Sequence, residues 1–155
     1  MASSVPSQLL TAIKARRFSA VARLFAPDVQ FEAWNPSGRW VAEDPLTAAR
    51  IIEVWFTPGS GSSVVWSNET NGARGAATLE FEMAWKAPPD EQPRTLRQVY
   101  LLTINKAGKI ASARVYCPGL HTEFPEVDLE KQRRQKGLAA AIPKAAAGKV
   151  VVKAS

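Results

Sequence analysis

Between Ala76 and Cys117 apolar and polar residues alternate over three long stretches, Ala76–Ala87, Arg94–Asn105 and Lys109–Cys117. In the first, Leu79, Phe81, Met83 and Trp85 alternate with Glu80, Glu82 and Ala84. A period of two marks a strand with one buried face. The second stretch is β-branched and aromatic, and Lys106-Ala-Gly-Lys109 supplies the turn into the third. Three such strands make a sheet too large to leave bare, so the rest of the chain should cover it.

The N-terminal half supplies the cover. Leu9, Leu10 and Ile13 stand at helical spacing within Ser7–Arg17, with Ser4 or Ser7 as cap. A second short helix presents Phe18, Val21, Ala22 and Phe25 on one face and closes at Ala26-Pro27, which makes an αα-hairpin. Val29–Trp34 reads as a strand with Val29, Phe31 and Ala33 on one side. Asn35-Pro-Ser-Gly38 is a turn cluster, and Arg39–Ala42 a short extended piece. Asp44-Pro45 combines an N-cap with proline at the first helical position. That helix carries Leu46, Ala49, Ile52 and Phe56 in register and ends at Thr57-Pro58-Gly59.

Gly59–Ser63 is expected to be a flexible link. It follows a helix instead of opening one and lacks the lysine of a phosphate loop. Ser63–Asn68 is predicted as a further strand, with Asn71-Gly72 as a hairpin turn. Pro118-Gly119 ends the sheet, Leu120–Val127 is irregular, 128–136 suits a charged helix, and Ala/Lys/Val low complexity follows from Gly137. Helices first and strands afterwards argue for an α+β fold: a curved, mixed but mostly antiparallel sheet wrapped around a helical layer to form a cone. The expected domain is 1–126, followed by a basic, low-complexity tail over 127–155.

Composition is that of an ordinary globular domain, 46% hydrophobic and 22% charged over 155 residues. No apolar run approaches the ~20 residues of a membrane span, no secretory leader is evident, and the single Cys117 suits a reducing cytoplasm. The net charge of +6 is unevenly placed: the tail carries seven basic residues against two acidic ones, so residues 1–126 are close to neutral. The tail lacks interleaved aromatics, which argues against specific nucleic-acid binding. No His/Cys/Asp cluster has metal-ligand spacing, and neither metal nor cofactor is expected.

Phe18-Ser-Ala-Val-Ala-Arg-Leu-Phe-Ala-Pro-Asp-Val-Gln-Phe31, Leu79-Glu-Phe-Glu-Met-Ala-Trp85 and Gly108-Lys-Ile-Ala-Ser-Ala-Arg-Val-Tyr116, in this order of elements, resemble the nuclear transport factor 2-like superfamily. That superfamily includes ketosteroid isomerases, SnoaL-like polyketide cyclases and limonene epoxide hydrolases. The resemblance spans about residues 5–120 and implies a cone but no single activity. The isomerases use a tyrosine on the first helix, an aspartate base at the end of the first strand and an aspartic acid on the central strand. The matching positions hold Leu9, Ala33 and Tyr100. One of the epoxide-hydrolase aspartates falls at Pro118.

The parity implied by the resemblance puts Leu79, Phe81, Met83, Leu96, Gln98, Tyr100 and Cys117 on the concave face, with Trp34, Trp40, Trp55 and Phe56 closing it from the helix side. A mostly apolar surface with a few convergent polar groups is the make-up of a site for a small hydrophobic molecule; the competing reading is a filled core. The expected ligand-binding set is Trp34, Trp40, Trp55, Phe56, Phe81, Met83, Gln98 and Cys117. If the protein is an enzyme, an isomerase, cyclase or hydratase, Tyr100 is the hydrogen-bond donor and His121 the base. Cys117 as a nucleophile would need His121 as its partner. Asp44 reads as a helix cap. Glu80, Glu82, Arg97, Arg114 and Tyr116 have the opposite parity, on an outer face expected to pair two copies as a homodimer.

Overall fold

The computed structural model describes residues 2–56, 60–87, 92–119 and 121–122, with the side chains of 60–62, 86–87, 92–93 and 121–122 set aside. The expected tail over 127–155 lies outside the described residues. So do the expected helix 128–136 and the expected helix end at Thr57-Pro58-Gly59. All described elements belong to one compact unit, Met1–Glu123.

Three helices precede or interrupt the strands: α1 (Val5–Lys14), α2 (Phe18–Leu24) and α3 (Pro45–Phe56). The strands are β1 (Phe25–Asn35), β2 (Gly38–Ala42), β3 (Ser60–Asn71), β4 (Ala76–Ala87), β5 (Gln92–Ile104), β6 (Ile110–Tyr116) and the two-residue β7 (His121–Thr122). Their order is β2-β1-β6-β5-β4-β3, with β7 against β5. All neighbours are antiparallel except β1 and β6, which run parallel with Phe31 opposite Ala113 and Trp34 opposite Tyr116. This mixed α+β sheet is the expected one.

The helices start and stop where local chemistry requires. The Ser4 hydroxyl accepts from the Ser7 amide at 3.1 Å, and Pro6 lies in the first turn, where a missing N–H costs nothing. The Asp44 carboxylate accepts from the Thr47 amide at 2.9 Å, so Asp44 is the cap its sequence context predicts. Hydrogen bonds from Thr47, side chain and backbone, hold that carboxyl below its ordinary range. α1 ends in a Schellman turn: the Arg17 amide donates to Ala12 O and the Arg16 amide to Ile13 O, both at 2.9 Å. The left-handed position, φ 54°, is filled by Arg16, where glycine would be unstrained.

Several sequence expectations change: the sheet does not end at Pro118-Gly119, because His121–Thr122 pairs with β5 as β7, and α2 ends at Leu24 with Phe25 already in β1. Ser60–Ser63 is strand, not link: Ser60 pairs with Lys86 and Ser63 with Ala84, because β4 is long enough to template it. Register shifts on either side of Val64 absorb the irregularity. Asn71-Gly72 is no two-residue turn. Asn71 pairs with Ala77, and a 3₁₀ turn over Ala73–Gly75 makes the connection. Gly72 has φ −102°, while Gly75 has φ 78° and approaches Ile104 so closely that an added Cβ would stand 2.1 Å from its carbonyl oxygen.

The core lies between the helices and one face of the sheet. Leu9 and Ile13 of α1, Val21 of α2, and Ala48, Ile52 and Phe56 of α3 meet Phe31, Leu79, Phe81, Leu96 and Val115. Burying each large apolar side chain contributes about 1.5–3 kcal/mol, so this contact layer sets the curvature and fixes which face each strand turns inward. No described helix is long and apolar enough to cross a membrane.

Candidate functional site

The alternation of β4 and β5 places Leu79, Phe81, Met83, Trp85, Leu96, Gln98, Tyr100 and Leu102 inward, all buried. In register, Phe81 is opposite Gln98 and Leu79 opposite Tyr100. Residues two apart on one strand share a face, and the Tyr100 hydroxyl donates to Gln98 Oε1 at 2.7 Å. Both side chains are fully inaccessible. Phe81 stacks on Tyr100 at 5.8 Å between ring centroids, and Phe56 stacks on Phe81 at 6.4 Å and tilts against Trp85 at 6.3 Å. An aromatic column thus fills this part of the concave face. The competing reading, a filled core, describes it.

The column leaves two buried donors without acceptors: the Gln98 amide Nε2 and the Trp85 indole Nε1. A buried unpaired donor costs about 1–3 kcal/mol. Gln98 is held in this orientation because its oxygen is already engaged by Tyr100. Burial first, and the nearby Cys117 sulfur second, push the Tyr100 phenol well above the ordinary tyrosine range. It is therefore a neutral hydroxyl at any physiological pH.

Beside the column a cleft of about 290 Å³ opens between the β1–β2 turn, the last turn of α3 and the end of β6. Asn35, Pro36 and Ser37 form one wall, Val54 and Trp55 another, and Leu96 and Cys117 line it as well. Cys117 is fixed there by its amide, which donates to Trp34 O at 2.8 Å. Leu96 and Cys117 belong both to the cleft and to the concave face, while Gln98 and Tyr100 do not line the cleft.

The expected site residues separate accordingly. Trp55 and Cys117 line the cleft; Phe56, Phe81, Met83, Gln98 and Tyr100 are buried and do not line it. Trp34 is a correction. It has the parity of Glu32, opposite to Phe31 and Ala33, and stands 44% exposed on the outer face, its indole donating to Glu32 Oε1 at 3.1 Å. Trp40 is a second correction. It pairs with Ala33 on the helix side, but β2 is the edge strand, so its ring reaches the flank of α3 and lines a shallow groove with Leu46 and Val54. Its indole donates to Asn35 Oδ1 at 3.0 Å. His121 is placed by its backbone, paired with Thr95 in β7; its side chain lies outside the described residues. The turn residues Asn35, Pro36 and Ser37 were missed, because a turn signal does not say which cavity the turn borders.

The positions matched to the isomerase residues, Leu9, Ala33 and Tyr100, are all buried. Among the described residues no carboxylate is buried and no group of three metal-ligating side chains occurs. No carboxylate lines the cleft.

The outer face is mixed. Rows across the strands run Val41–Glu32–Arg114–Leu101 and Arg39–Trp34–Tyr116–Val99–Glu80. Val41, Trp34, Leu101, Tyr116 and Trp66 are exposed. Arg39 Nε bonds Glu32 Oε1 at 2.7 Å and holds that carboxyl below its ordinary range. Arg97 sits 3.7 Å from both Glu80 and Glu82, with its guanidinium 5.0 Å above the Trp66 ring.

The fold is shared with many solved structures. A hypothetical protein with a ketosteroid isomerase-like fold from Catenulispora acidiphila, in complex with trimethylamine, aligns at TM-score 0.59 with 13% identity, over 76% of this chain and 88% of that one. The epoxide hydrolase/cyclase-like enzyme SalBIII, of pyran ring formation in the polyether salinomycin, aligns at TM-score 0.60 with 14% identity, over 77% and 93%. The fold is the nuclear transport factor 2-like cone. A steroid delta-isomerase from Pseudomonas aeruginosa shares this cone at TM-score 0.51 and 16% identity, over 88% and 89% of the two chains. No family model matches the sequence, and no curated protein does. At these identities the likeness carries the cone and leaves its contents to this chain's own residues.

Proposed function

We propose that this cone binds a small, largely apolar molecule carrying a hydrogen-bond acceptor. The molecule enters by the Trp55–Cys117 cleft and meets the Gln98 amide. The carrying observation is the unpaired Gln98 Nε2, fully buried among aromatic rings with its orientation set by Tyr100. An acceptor oxygen supplied by a ligand would relieve that donor, while the apolar walls contribute the bulk of the affinity. Rotation of Trp55 and Leu96 would join the cleft to the amide.

Native mass spectrometry of the protein as purified, followed by quenching of tryptophan fluorescence by ketones and matched hydrocarbons, tests this. A retained or titrated ketone whose affinity falls about tenfold or more in Gln98→Leu supports it. Equal binding of ketone and hydrocarbon, or no effect of Trp55→Ala and Gln98→Leu, refutes it.

A second reading, acid–base catalysis on a hydrophobic carbonyl compound, draws on the same protonated phenol. Tyr100 would support the polarising donor through Gln98, and His121 would serve as base. Unchanged turnover of an identified substrate in both Tyr100→Phe and His121→Ala would remove it. The outer face supports assembly as a homodimer. Trp34, Leu101 and Tyr116 supply apolar area, and Glu80, Glu82, Arg97 and Arg114 supply both charges needed for self-complementary pairing. A monomeric mass by light scattering would remove that reading, and Leu101→Glu should split a dimer.

A further inference from the structure

A second cleft shares no lining residue with the Trp55–Cys117 cleft, and its chemistry is cationic. It has a volume of about 620 Å³ and is bordered by α1, α2 and the β5–β6 turn. Arg17, Arg23 and Lys109 line it, with Gln8 and Thr11 on the α1 side and Leu24 among its apolar residues; its lining contains no carboxylate. The sequence explains the imbalance. Residues 1–27 contain Lys14, Arg16, Arg17 and Arg23 and no acid, and the β5–β6 turn adds Lys106 and Lys109. Asp28, the next acid along the chain, does not line the cleft.

Three arginines elsewhere are paired, Arg39 with Glu32, Arg50 with Glu53, and Arg97 with Glu80 and Glu82, while Arg16, Arg74 and Arg114 have no ion pair among the described residues. Arg17 and Arg23 have no ion-pair partner among the described residues. Lys109, from a segment 86 residues away, is drawn in by its Nζ, which donates to Arg23 O at 2.6 Å. That bond satisfies a carbonyl at the end of α2 and leaves two ammonium hydrogens free. All three cations are exposed, so water screens their repulsion, and an anion entering the cleft meets no competing carboxylate.

We propose that this cleft binds the phosphate group of a small phosphate ester. A single carboxylate would leave two of the three charges uncompensated. A phosphate monoester carries about −1.5 to −2 charge near neutrality and three acceptor oxygens, and two guanidinium forks and an ammonium match it. Leu24 and the neighbouring alanines give the ester's carbon skeleton an apolar rest. The site is independent of the Gln98 reading and stands whether or not that one does.

The test must be residue-resolved, because the basic residues past Val127 attract anions on their own. Inorganic phosphate is titrated into the ¹⁵N-labelled full chain at constant ionic strength, with sodium chloride as the matched control. The readout is the side-chain Nε–H signals of Arg17 and Arg23 and the Lys109 amide. Saturable shifts at these three, weakened about tenfold or more by Arg17→Gln and by Arg23→Gln but not by Lys106→Gln, support the site. Lys106→Gln removes the same charge from a residue that does not line the cleft. Shifts matched by chloride, or weakened equally by Lys106→Gln, overturn it in favour of general screening. Co-sedimentation with phosphatidylcholine vesicles, with and without phosphatidic acid, locates the source. Loss of phosphatidic acid-dependent binding in Arg17→Gln/Arg23→Gln assigns a lipid headgroup. Saturable phosphate binding without it assigns a soluble ester.

Discussion

The Gln98–Tyr100 pair yields the sharpest prediction, because its stability and its proposed use pull in opposite directions. Both side chains are fully buried, and one hydrogen bond of 2.7 Å joins them. Tyr100→Phe keeps the ring stacked 5.8 Å from Phe81 but strands Gln98 Oε1 beside the already unpaired Nε2. The expected loss is about 1–3 kcal/mol, the cost of an unsatisfied buried acceptor. Gln98→Leu strands the phenol hydrogen but also removes the orphaned amide, so its loss should be smaller, about 0–1 kcal/mol. The double variant removes every unmatched polar atom of the pair. It should recover to wild-type stability or exceed it, giving a coupling energy on the order of 1–4 kcal/mol.

Urea unfolding followed by tryptophan fluorescence, with m unchanged across the set, measures all four corners of the cycle. Additivity within about 0.5 kcal/mol, or a Tyr100→Phe variant as stable as wild type, would refute the buried-pair account. A double variant that is stable yet no longer binds a ketone would show the pair to be kept for recognition at the expense of stability.

Three other perturbations follow from the backbone and the titration of the core. Gly75→Ala should destabilise by roughly 2 kcal/mol or more in the same urea assay, since its Cβ would meet Ile104 O at 2.1 Å on a φ of 78°; a smaller loss would mean the 3₁₀ turn relaxes freely. Arg16→Gly should raise stability by roughly 0.5 kcal/mol, the relief of a left-handed non-glycine residue offset by extra unfolded-state freedom; a loss would show Arg16 to be held by contacts of its own. The raised Tyr100 phenol stabilises the fold fully below the unfolded tyrosine value near 10. That contribution falls as pH rises beyond about 10, where the unfolded chain releases its proton first. Tyr100→Phe should flatten the alkaline limb of the stability profile, and an unchanged limb would contradict the burial argument.

Much of the cone was legible because its signals are periodic and local. The alternation of Leu79, Phe81, Met83 and Trp85 needed no partner strand to be read, and Ala76–Ala87 is the observed strand to the residue. The Asp44-Pro45 start is equally local, a carboxylate within reach of amides two and three residues on. Where the chain departs from expectation, a partner overrode the local preference. Ser60–Ser63 looks like a link and becomes strand because β4 extends past it. Asn71-Gly72 looks like a hairpin turn, but the register of β3 on β4 moves the turn to Gly75.

The candidate site divides in the same way. Alternation along the chain separated Phe81 and Met83 from Glu80 and Glu82, and Gln98 and Tyr100 from Arg97, while the resemblance implied which face turns inward. The positions it matches to the isomerase residues, Leu9, Ala33 and Tyr100, carry no carboxylate. Only the tertiary structure decided whether that inward face is lined or filled. The answer depends on how far Phe56 reaches across from α3 to Phe81 and Trp85, a distance no spacing along the chain encodes. It likewise put Trp34 outside and Trp40 at an edge, because the place of β1 and β2 in the sheet is set by pairing across eighty residues. And it drew Lys109 to Arg23, so that charges scattered along the sequence became one cationic cleft. Periodicity fixes which way a side chain points; packing between distant segments decides what it meets there.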